Sequence, residues 1–133
     1  MKDAIRQVTD ELQARGYRLT RARRSIVDAL YKAKHPQAIR ALAAKVDADD
    51  ASVYRTIDML SAEGLVERIR LPDGSQAYAL AFGHHHHLIC TTCNRVLHIP
   101  CKGMRAKLPT HPDFANVEDH EVTYYGTCTA CVA

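Results

Sequence analysis

The stretch ASVYRTIDMLSAEGLVERIRLPDGSQAYAL, residues 51–80, decides the expected fold of the first part of this 133-residue chain. Its apolar residues Val53, Ile57 and Leu60 recur at helical spacing, and Gly64 follows as a stop signal for that helix. Beyond the glycine, two runs suited to strands flank the turn residues Pro-Asp-Gly-Ser. The stretch therefore predicts a helix followed by a β-hairpin.

Three further helices are expected upstream of this stretch. Gly16 and Thr20 separate the first two, since glycine is a common helix stop and threonine a common N-cap. The third ends near the acidic run 47–50, whose charges suit the positive end of the fourth helix. The periodic runs lie at 5–12, 22–30, 39–46 and 53–60, and the strand runs at 65–71 and 76–80. Three or four helices followed by a β-hairpin is the order of a winged helix-turn-helix domain.

The overall composition is that of an ordinary globular chain, with 47% hydrophobic residues, 25% charged residues and a net charge of +3. No apolar run approaches the roughly 20 residues that span a bilayer, and the first ten residues lack the apolar core of a secretion signal. These features argue against a disordered, fibrous or membrane-embedded protein. We therefore expect a cytoplasmic protein with no membrane partner.

The composition changes abruptly near Phe82-Gly83. Residues 1–82 hold 14 lysines and arginines against 11 acids, whereas residues 83–133 hold 4 of each. The second part contains all 5 cysteines and 7 of the 8 histidines. We therefore predict two domains, 1–82 and 83–133, and expect metal chemistry in the second.

The second part is expected to form a small α/β domain. Short strands are predicted at 88–91, 95–99 and 117–125, with a helix at 102–108 between the last two. Together with the first part, this predicts an α+β protein in which a winged helix-turn-helix domain precedes a small metal-binding domain.

Four cysteines form two Cys-x-x-Cys pairs with 34 residues between the pairs. Two chelating pairs supply four thiolates, which fits tetrahedral zinc and leaves no coordination position open. Disulfides or buried thiols are the alternative, which a reducing compartment disfavours. Because a domain this small has little core to hold it otherwise, we predict a structural Zn(II). Its ligands would be Cys90, Cys93, Cys128 and Cys131.

The start of the second helix is densely basic. Five arginines fall between residues 15 and 24, and such density costs self-repulsion unless anions neutralise it. A solvated basic face is the alternative. The fourth helix adds polar and amphipathic groups near its N-terminus, where they can reach phosphates and base edges in a major groove. These candidate DNA contacts are Ser52, Tyr54, Arg55 and Thr56. For Tyr54, packing on its own domain is the competing interpretation.

Four stretches together resemble the ferric uptake regulator family. They are GYRLTRAR at 16–23, ASVYRTI at 51–57 with Gly-Leu-Val at 64–66, HHHHLICTTC at 84–93 and YGTCTAC at 125–131, in order over nearly the whole chain. The resemblance implies a homodimeric, metal-activated repressor that binds AT-rich palindromic operators, with residues 83–133 as the dimerisation domain. A two-fold operator requires a dimer, since one domain contacts one half-site.

The resemblance also implies roles for individual basic and aromatic residues. By motif position, Arg18 is the basic residue directed at the minor groove, and a narrow AT minor groove attracts such a cation. Tyr54 and Arg55 are implied as the contacts from the recognition helix, and Arg23 lies in the same basic motif as Arg18.

Matching motif by motif, the resemblance implies a regulatory metal site that spans the two domains. The implied ligands are His35, His85, His87 and His98. On a strand, alternate side chains face opposite ways, so His85 and His87 share one face while His84 and His86 share the other. His84, His86 and His120, with Glu118 or Glu121 as further candidates, form a possible second site. A metal that bridges the domains would hold them in the orientation that fits DNA and so act as co-repressor.

The implied regulatory ligands are rich in nitrogen. Iron- and peroxide-sensing relatives usually have a carboxylate in the hinge after the wing, where this chain has Ala79. Zinc-sensing relatives often have a Cys, Asp or Glu there, and residues 76–83 contain none of these, so one expected ligand is absent in either case. His98 falls where relatives use an acid. A nitrogen-rich set suits Zn(II) or nickel more than Mn(II), with Fe(II) intermediate. We expect a zinc-sensing repressor of metal-ion uptake and homeostasis genes, similar to the zinc-responsive branch. A manganese- or iron-responsive regulator, or a peroxide sensor, of the same family is the alternative.

Two other function classes compete with a metal-responsive repressor. A metal-dependent hydrolase would need an open metal position and a general base, and the sequence has no HExxH or other catalytic spacing. A constitutive winged-helix and zinc-ribbon module would bind DNA without a regulatory metal. The remaining cysteine, Cys101, could join a regulatory site, act as a redox-sensitive thiol or pack as a small buried hydrophobe, and we favour the last.

Overall fold

A computed structural model describes residues 2–33, 35–81, 85–101 and 108–132, with side chains from Ile5 onward. The backbone divides into two compact units, Met1–Phe82 and Gly83–Ala133. None of the helices in these ranges combines the length and apolar character that a membrane crossing requires.

Helices α1 to α4 form most of the first unit, at Lys2–Ala14, Arg21–Lys32, Ile39–Ala43 and Asp50–Ala62. As predicted, Thr20 is the N-cap of α2, because its hydroxyl accepts the Arg23 N–H at 3.2 Å. Gly16, two residues after α1, has the left-handed φ of 87° that a glycine stop supplies. The sequence pattern predicted that the third helix continues to residue 46, but α3 has only five residues and ends at Ala43.

Strands β1, Gln37–Ala38, β2, Val66–Arg70, and β3, Gln76–Leu80, form an antiparallel sheet in the order β1-β3-β2. The two predicted hairpin strands are β2 and β3, and the turn between them includes Gly74 at φ 88°. The sequence analysis missed β1, because two residues carry no alternation pattern. Four helices, a two-residue strand and a two-stranded wing make up the winged helix arrangement.

The first unit has a continuous apolar core. Val53, Ile57 and Leu60 of α4 are fully buried there, as the periodicity predicts. Residues from α1, α2, α3 and the wing complete the cluster: Val8, Leu12, Ile26, Val27, Leu30, Leu42, Val66, Tyr78 and Leu80. The core therefore fixes which face of α4 remains available to a ligand.

The second unit is built on a three-stranded sheet in the order β5-β4-β6. Its strands are β4, His85–Cys90, β5, Val96–Pro100, and β6, Thr123–Gly126, and a short helix α5 follows at Thr129–Val132. The prediction of a strand over 117–125 is wrong for residues 117–122, which are irregular. Most of the helix predicted at 102–108 lies outside the described residues. Helices and sheets in this arrangement confirm the α+β class.

Candidate metal centre and nucleic-acid interface

The two Cys-x-x-Cys pairs meet at one edge of the second sheet. β4 and β6 run parallel with Cys90 opposite Gly126, so the chain that leaves each strand emerges on the same side. After β4, a tight turn with Asn94 at φ 64° returns the backbone, and the Asn94 N–H donates to the Cys90 carbonyl at 3.0 Å. The ligand atoms of Cys90, Cys93, Cys128 and Cys131 all lie within 4.8 Å of one another.

The thiol geometry suits a single tetrahedral ion. Sγ of Cys128 lies 3.8 Å from Sγ of Cys93 and 3.4 Å from Sγ of Cys131. A Zn–S distance of about 2.3 Å in a tetrahedron places its sulfurs roughly 3.8 Å apart. These four residues therefore form a set that could hold zinc.

Local hydrogen bonds affect the thiols unequally. The backbone N–H of Cys128 donates to Cys90 Sγ at 3.3 Å, and this donor, with further backbone N–H groups, lowers the pKa of Cys90 to about 6. Hydrogen bonding with Cys128 and Cys93 raises the pKa of Cys131 to about 12. Four crowded thiols cannot all ionise unless a cation neutralises them, which is the chemistry that a structural metal supplies.

Three imidazoles cluster on one face of the β4–β5 ladder. His87 pairs directly with His98 across the two antiparallel strands, and His85 lies two residues earlier on the same face. The His85 and His98 rings stack with centroids 4.2 Å apart, and the His87 ring lies 5.1 Å from that of His98. The ligand nitrogens of the three lie within 4.8 Å of one another. We call this group the histidine triad.

A second cluster lies on the opposite face of β4. His86, only 1% exposed, has its Nε2 atom 3.1 Å from Nε2 of His120. The Cys101 Sγ atom lies 3.5 Å from the same His120 nitrogen. Within the described residues this cluster does not include Glu118 or Glu121, the candidate carboxylates of the sequence analysis. We call His86, Cys101 and His120 the mixed cluster.

Three histidines are not part of the histidine triad or the mixed cluster as defined above. His35 is exposed in the first unit, in the bend before β1. His84 lies outside the described residues. The exposed His111 accepts the Asp113 N–H through Nδ1 at 3.1 Å, so its nearest partner is local.

The exposed face of α4 carries two of the predicted DNA contacts. Tyr54 is 51% exposed and Arg55 is also exposed, while Ser52 is half-buried. The prediction for Thr56 is wrong, because its side chain is only 6% exposed. Thr56 follows Val53 by three positions and therefore lies on the core face of the helix.

The loop that carries Arg18 is held by a polar network at the end of α4. Arg15 donates through Nη1 to both the Glu63 backbone carbonyl at 2.6 Å and its carboxylate at 2.9 Å. The Tyr17 hydroxyl donates to the other carboxylate oxygen at 2.6 Å. These hydrogen bonds lower the pKa of Glu63, while the negative acceptor raises the pKa of Tyr17.

Arg23 supports the same loop rather than projecting fully into solvent. Its guanidinium lies 5.7 Å from the Tyr17 ring centroid and donates to the Arg18 carbonyl at 2.6 Å. The Arg18 side chain itself is exposed. Arg23 is thereby a positioning residue for Arg18 in this structure.

Known proteins with the same sequence features are regulators. Residues 14–125 match the ferric uptake regulator family. The chain belongs to this family. It is 30% identical to the transcriptional regulator FurA of Mycobacterium bovis over 138 residues, which cover 96% of this chain and 92% of FurA.

Solved structures of the family share the fold. The structure of the Helicobacter pylori regulator Fur is described as revealing three functional metal-binding sites. The match covers 99% of this chain and 93% of the Helicobacter pylori chain, with a TM-score of 0.78 at 17% sequence identity. The match to the ferric uptake regulator from Francisella tularensis with iron covers 89% of this chain and 96% of the Francisella tularensis chain, with a TM-score of 0.75 at 24% sequence identity.

Membership of the ferric uptake regulator family establishes the general activity. The chain is a metal-responsive transcriptional regulator and not an enzyme. Regulators of this family bind DNA and metal ions and function as dimers. The hydrolase interpretation is thereby excluded.

The sequence analysis favoured packing as a small hydrophobe for Cys101 and gave a place in a metal site only as an alternative. The structure brings Cys101 into the mixed cluster. Its position one residue beyond β5 gave no spacing signal, because His86 and His120 are distant in sequence. Glu63 was not singled out, since its partners Arg15 and Tyr17 lie 48 and 46 residues away.

Proposed function

We propose that this protein is a dimeric repressor of metal-ion uptake and homeostasis genes and binds its operator when a divalent cation occupies the histidine triad. The observation that carries the proposal is the convergence of three imidazoles on one sheet face in a chain of this family. Three imidazoles provide part of a coordination shell and leave at least one position for a further ligand. Because a regulator of transcription must reach the DNA, we propose a cytoplasmic location.

The fourth ligand is proposed to be His35 of the first unit. A cation held by both units would favour one relative orientation of them, and its effect is limited by how much better it binds the DNA-competent state. The proposal therefore links the metal in the Gly83–Ala133 unit to the DNA-contacting surface of the Met1–Phe82 unit.

Zinc is the proposed sensed metal. All three clustered ligands are nitrogens, and imidazole suits Zn(II) better than Mn(II), which prefers oxygen. Zn(II) is also the proposed ion of the four-cysteine site, where four thiolates close the coordination shell. Activation by Mn(II) or Fe(II) is the alternative that the experiment below separates.

The proposed DNA contacts are Arg18, Ser52, Tyr54 and Arg55, with Arg23 holding the Arg18 loop. The exposure of Tyr54 and Arg55 on the face of α4 opposite the core supports a recognition helix that enters a major groove. Arg18 is proposed to enter the adjacent minor groove of an AT-rich operator.

A second copy of the chain is proposed to pair through the sheet of the second unit. Leu88, Leu97 and Tyr124 lie side by side on neighbouring strands and are 38%, 38% and 47% exposed. A contiguous apolar row on a small unit favours a self-complementary contact, and a two-fold dimer would match a palindromic operator.

The proposal is tested by fluorescence anisotropy of operator DNA with the full-length dimer. The protein is stripped of weakly held metal while its four-cysteine zinc is retained, and buffered Zn(II), Mn(II), Fe(II) or Ni(II) is then added at fixed salt. We expect Zn(II) to activate binding at the lowest free concentration. The variant His87→Ala should lose metal-dependent binding but remain dimeric, whereas His111→Ala should behave as the parent protein.

Each contrary result has a distinct meaning. DNA affinity that does not change with any added metal would overturn the regulatory site and favour a constitutive DNA-binding module. Activation by Mn(II) or Fe(II) with no response to Zn(II) would overturn the zinc assignment but retain the regulator. Unchanged metal dependence in His87→Ala would overturn the histidine triad as the sensing site.

A further inference from the structure

We propose that Cys101 is a thiolate ligand, together with His86 and His120, of an additional metal site inside the second unit. The inference rests on the second site expected from the sequence and changes its ligands from histidines with a candidate carboxylate to two imidazole nitrogens and one sulfur. A mixed nitrogen and sulfur set is suited to Zn(II), with Co(II) as its spectroscopic substitute, and poorly suited to Mn(II).

The distances within the mixed cluster are those of ligands that share one ion. Nε2 of His86 and Nε2 of His120 lie 3.1 Å apart, and Cys101 Sγ lies 3.5 Å from the latter. All three ligand atoms lie within 4.8 Å of one another. A tetrahedral zinc ion with Zn–N of about 2.0 Å and Zn–S of about 2.3 Å requires edges of roughly 3.3 to 3.5 Å between such atoms.

The chain brings the three residues together from separate elements. His86 lies inside β4 and pairs with Ile99 of β5. Cys101 is two residues beyond Ile99 and follows the end of β5, so it continues the same alternation. His120 lies in the irregular segment before β6. Strand pairing therefore positions two ligands, and the approach to β6 supplies the third.

Burial distinguishes this cluster from a surface accumulation of metal-binding residues. His86 is 1% exposed, and Cys101 and His120 are half-buried. The sheet also separates the mixed cluster from the histidine triad, because His86 faces away from His85 and His87.

The thiol gives the site a property that histidine and carboxylate ligands lack. Thiolate is a soft ligand and shifts selectivity away from hard cations. Three ligands leave a coordination position for water or a further side chain. A metal-free alternative also exists, in which the imidazoles and the thiol form only a chain of hydrogen bonds.

Cobalt(II) distinguishes these possibilities in the full-length dimer with zinc retained in its four-cysteine site. We expect Co(II) to produce a thiolate-to-metal charge-transfer band in the near ultraviolet. Cys101→Ser should abolish this band and weaken Co(II) binding at the site by about tenfold or more. Losing a residue that only hydrogen-bonds to a metal ligand already costs about this much affinity, so losing the ligand itself should cost at least as much. His111→Ala should keep the band, and zinc analysis should give one equivalent in every variant.

A second variant tests whether loss of the band in Cys101→Ser results from misfolding. His120→Gln changes a half-buried ligand and should also remove the band while the dimer and its zinc remain. A band that persists in Cys101→Ser, or cobalt binding without such a band, would overturn the role of Cys101. Cobalt stoichiometry unchanged by both variants would overturn the whole site. In either case the metal-dependent DNA binding lost in His87→Ala would still support the proposed regulator.

Discussion

The two units of this protein differ in what stabilises each of them internally. The first has a continuous core of twelve buried residues contributed by four helices and the wing. In the described part of the second unit, the buried apolar residues are Ile89, Cys90 and Val96 alone. The second unit instead contains three clusters of metal-binding side chains within its own sheet and edges. Apolar burial stabilises the first unit, whereas we propose that the second depends on bound ions to hold distant segments together.

The largest expected effect comes from removing the structural metal. We expect Cys93→Ser to lose its zinc and unfold the second unit, since structural zinc contributes an apparent binding free energy of about 10 kcal/mol or more. Cys93 is exposed, so the substitution leaves no cavity. The first unit should retain its helical signal and its resistance to proteolysis, because its core does not involve the cysteines.

Zinc analysis, circular dichroism and limited proteolysis of Cys93→Ser provide the measurement. Thr92→Ser, a neighbouring exposed substitution, is the control and should keep zinc and the dimer. A zinc-free Cys93→Ser protein that remained a folded, DNA-binding dimer would show that the second unit does not need the structural metal to fold.

An intermediate effect is expected at the surface of the first unit. Arg55→Ala should reduce operator affinity by about 1 to 3 kcal/mol with folding intact, as removal of a specific contact does. Lys32→Ala, at the end of α2, is the matched control and should change affinity less. Anisotropy titration at fixed salt, together with thermal unfolding, gives both quantities. Equal affinity in Arg55→Ala and the parent protein would mean that α4 is not the recognition helix.

The smallest effect is expected in the polar network that supports the Arg18 loop. Because hydrogen bonds from Tyr17 and Arg15 lower the pKa of Glu63, ionised Glu63 stabilises the folded unit above the pKa that it has in the unfolded chain. This stabilisation is lost as the pH falls through the lowered value of the folded state. Glu63→Gln should therefore be less stable than the parent protein at neutral pH, and the difference should vanish well below the usual glutamate pKa of about 4.3.

Urea unfolding of the parent and Glu63→Gln proteins at several pH values measures this difference. Asp10→Asn, at an exposed position of α1, serves as the comparison for loss of a carboxylate charge outside the network. A stability difference independent of pH would mean that packing around Glu63, and not its charge, holds the loop.

Local sequence signals predicted the first unit well. The cap at Thr20, the stop at Gly16 and the turn at Gly74 depend on neighbouring residues, so their conformations follow from short-range chemistry. The error at Thr56 was avoidable, because its spacing from Val53 and Leu60 already placed it on the core face of α4. The short strand β1 had no local pattern and became visible only when paired with β3.

By itself, the sequence determined the fold class, the paired cysteine spacings and the alternation that divides the histidine run between two faces of β4. These follow from local periodicity and from the number of ligands that adjacent residues can offer. Only the tertiary structure decided that His98 pairs with His87, that Cys101 meets His86 and His120, and that Glu63 holds Arg15 and Tyr17. The physical reason is that these contacts join segments far apart in sequence, and the pairing of strands, not the local chain, sets their distances.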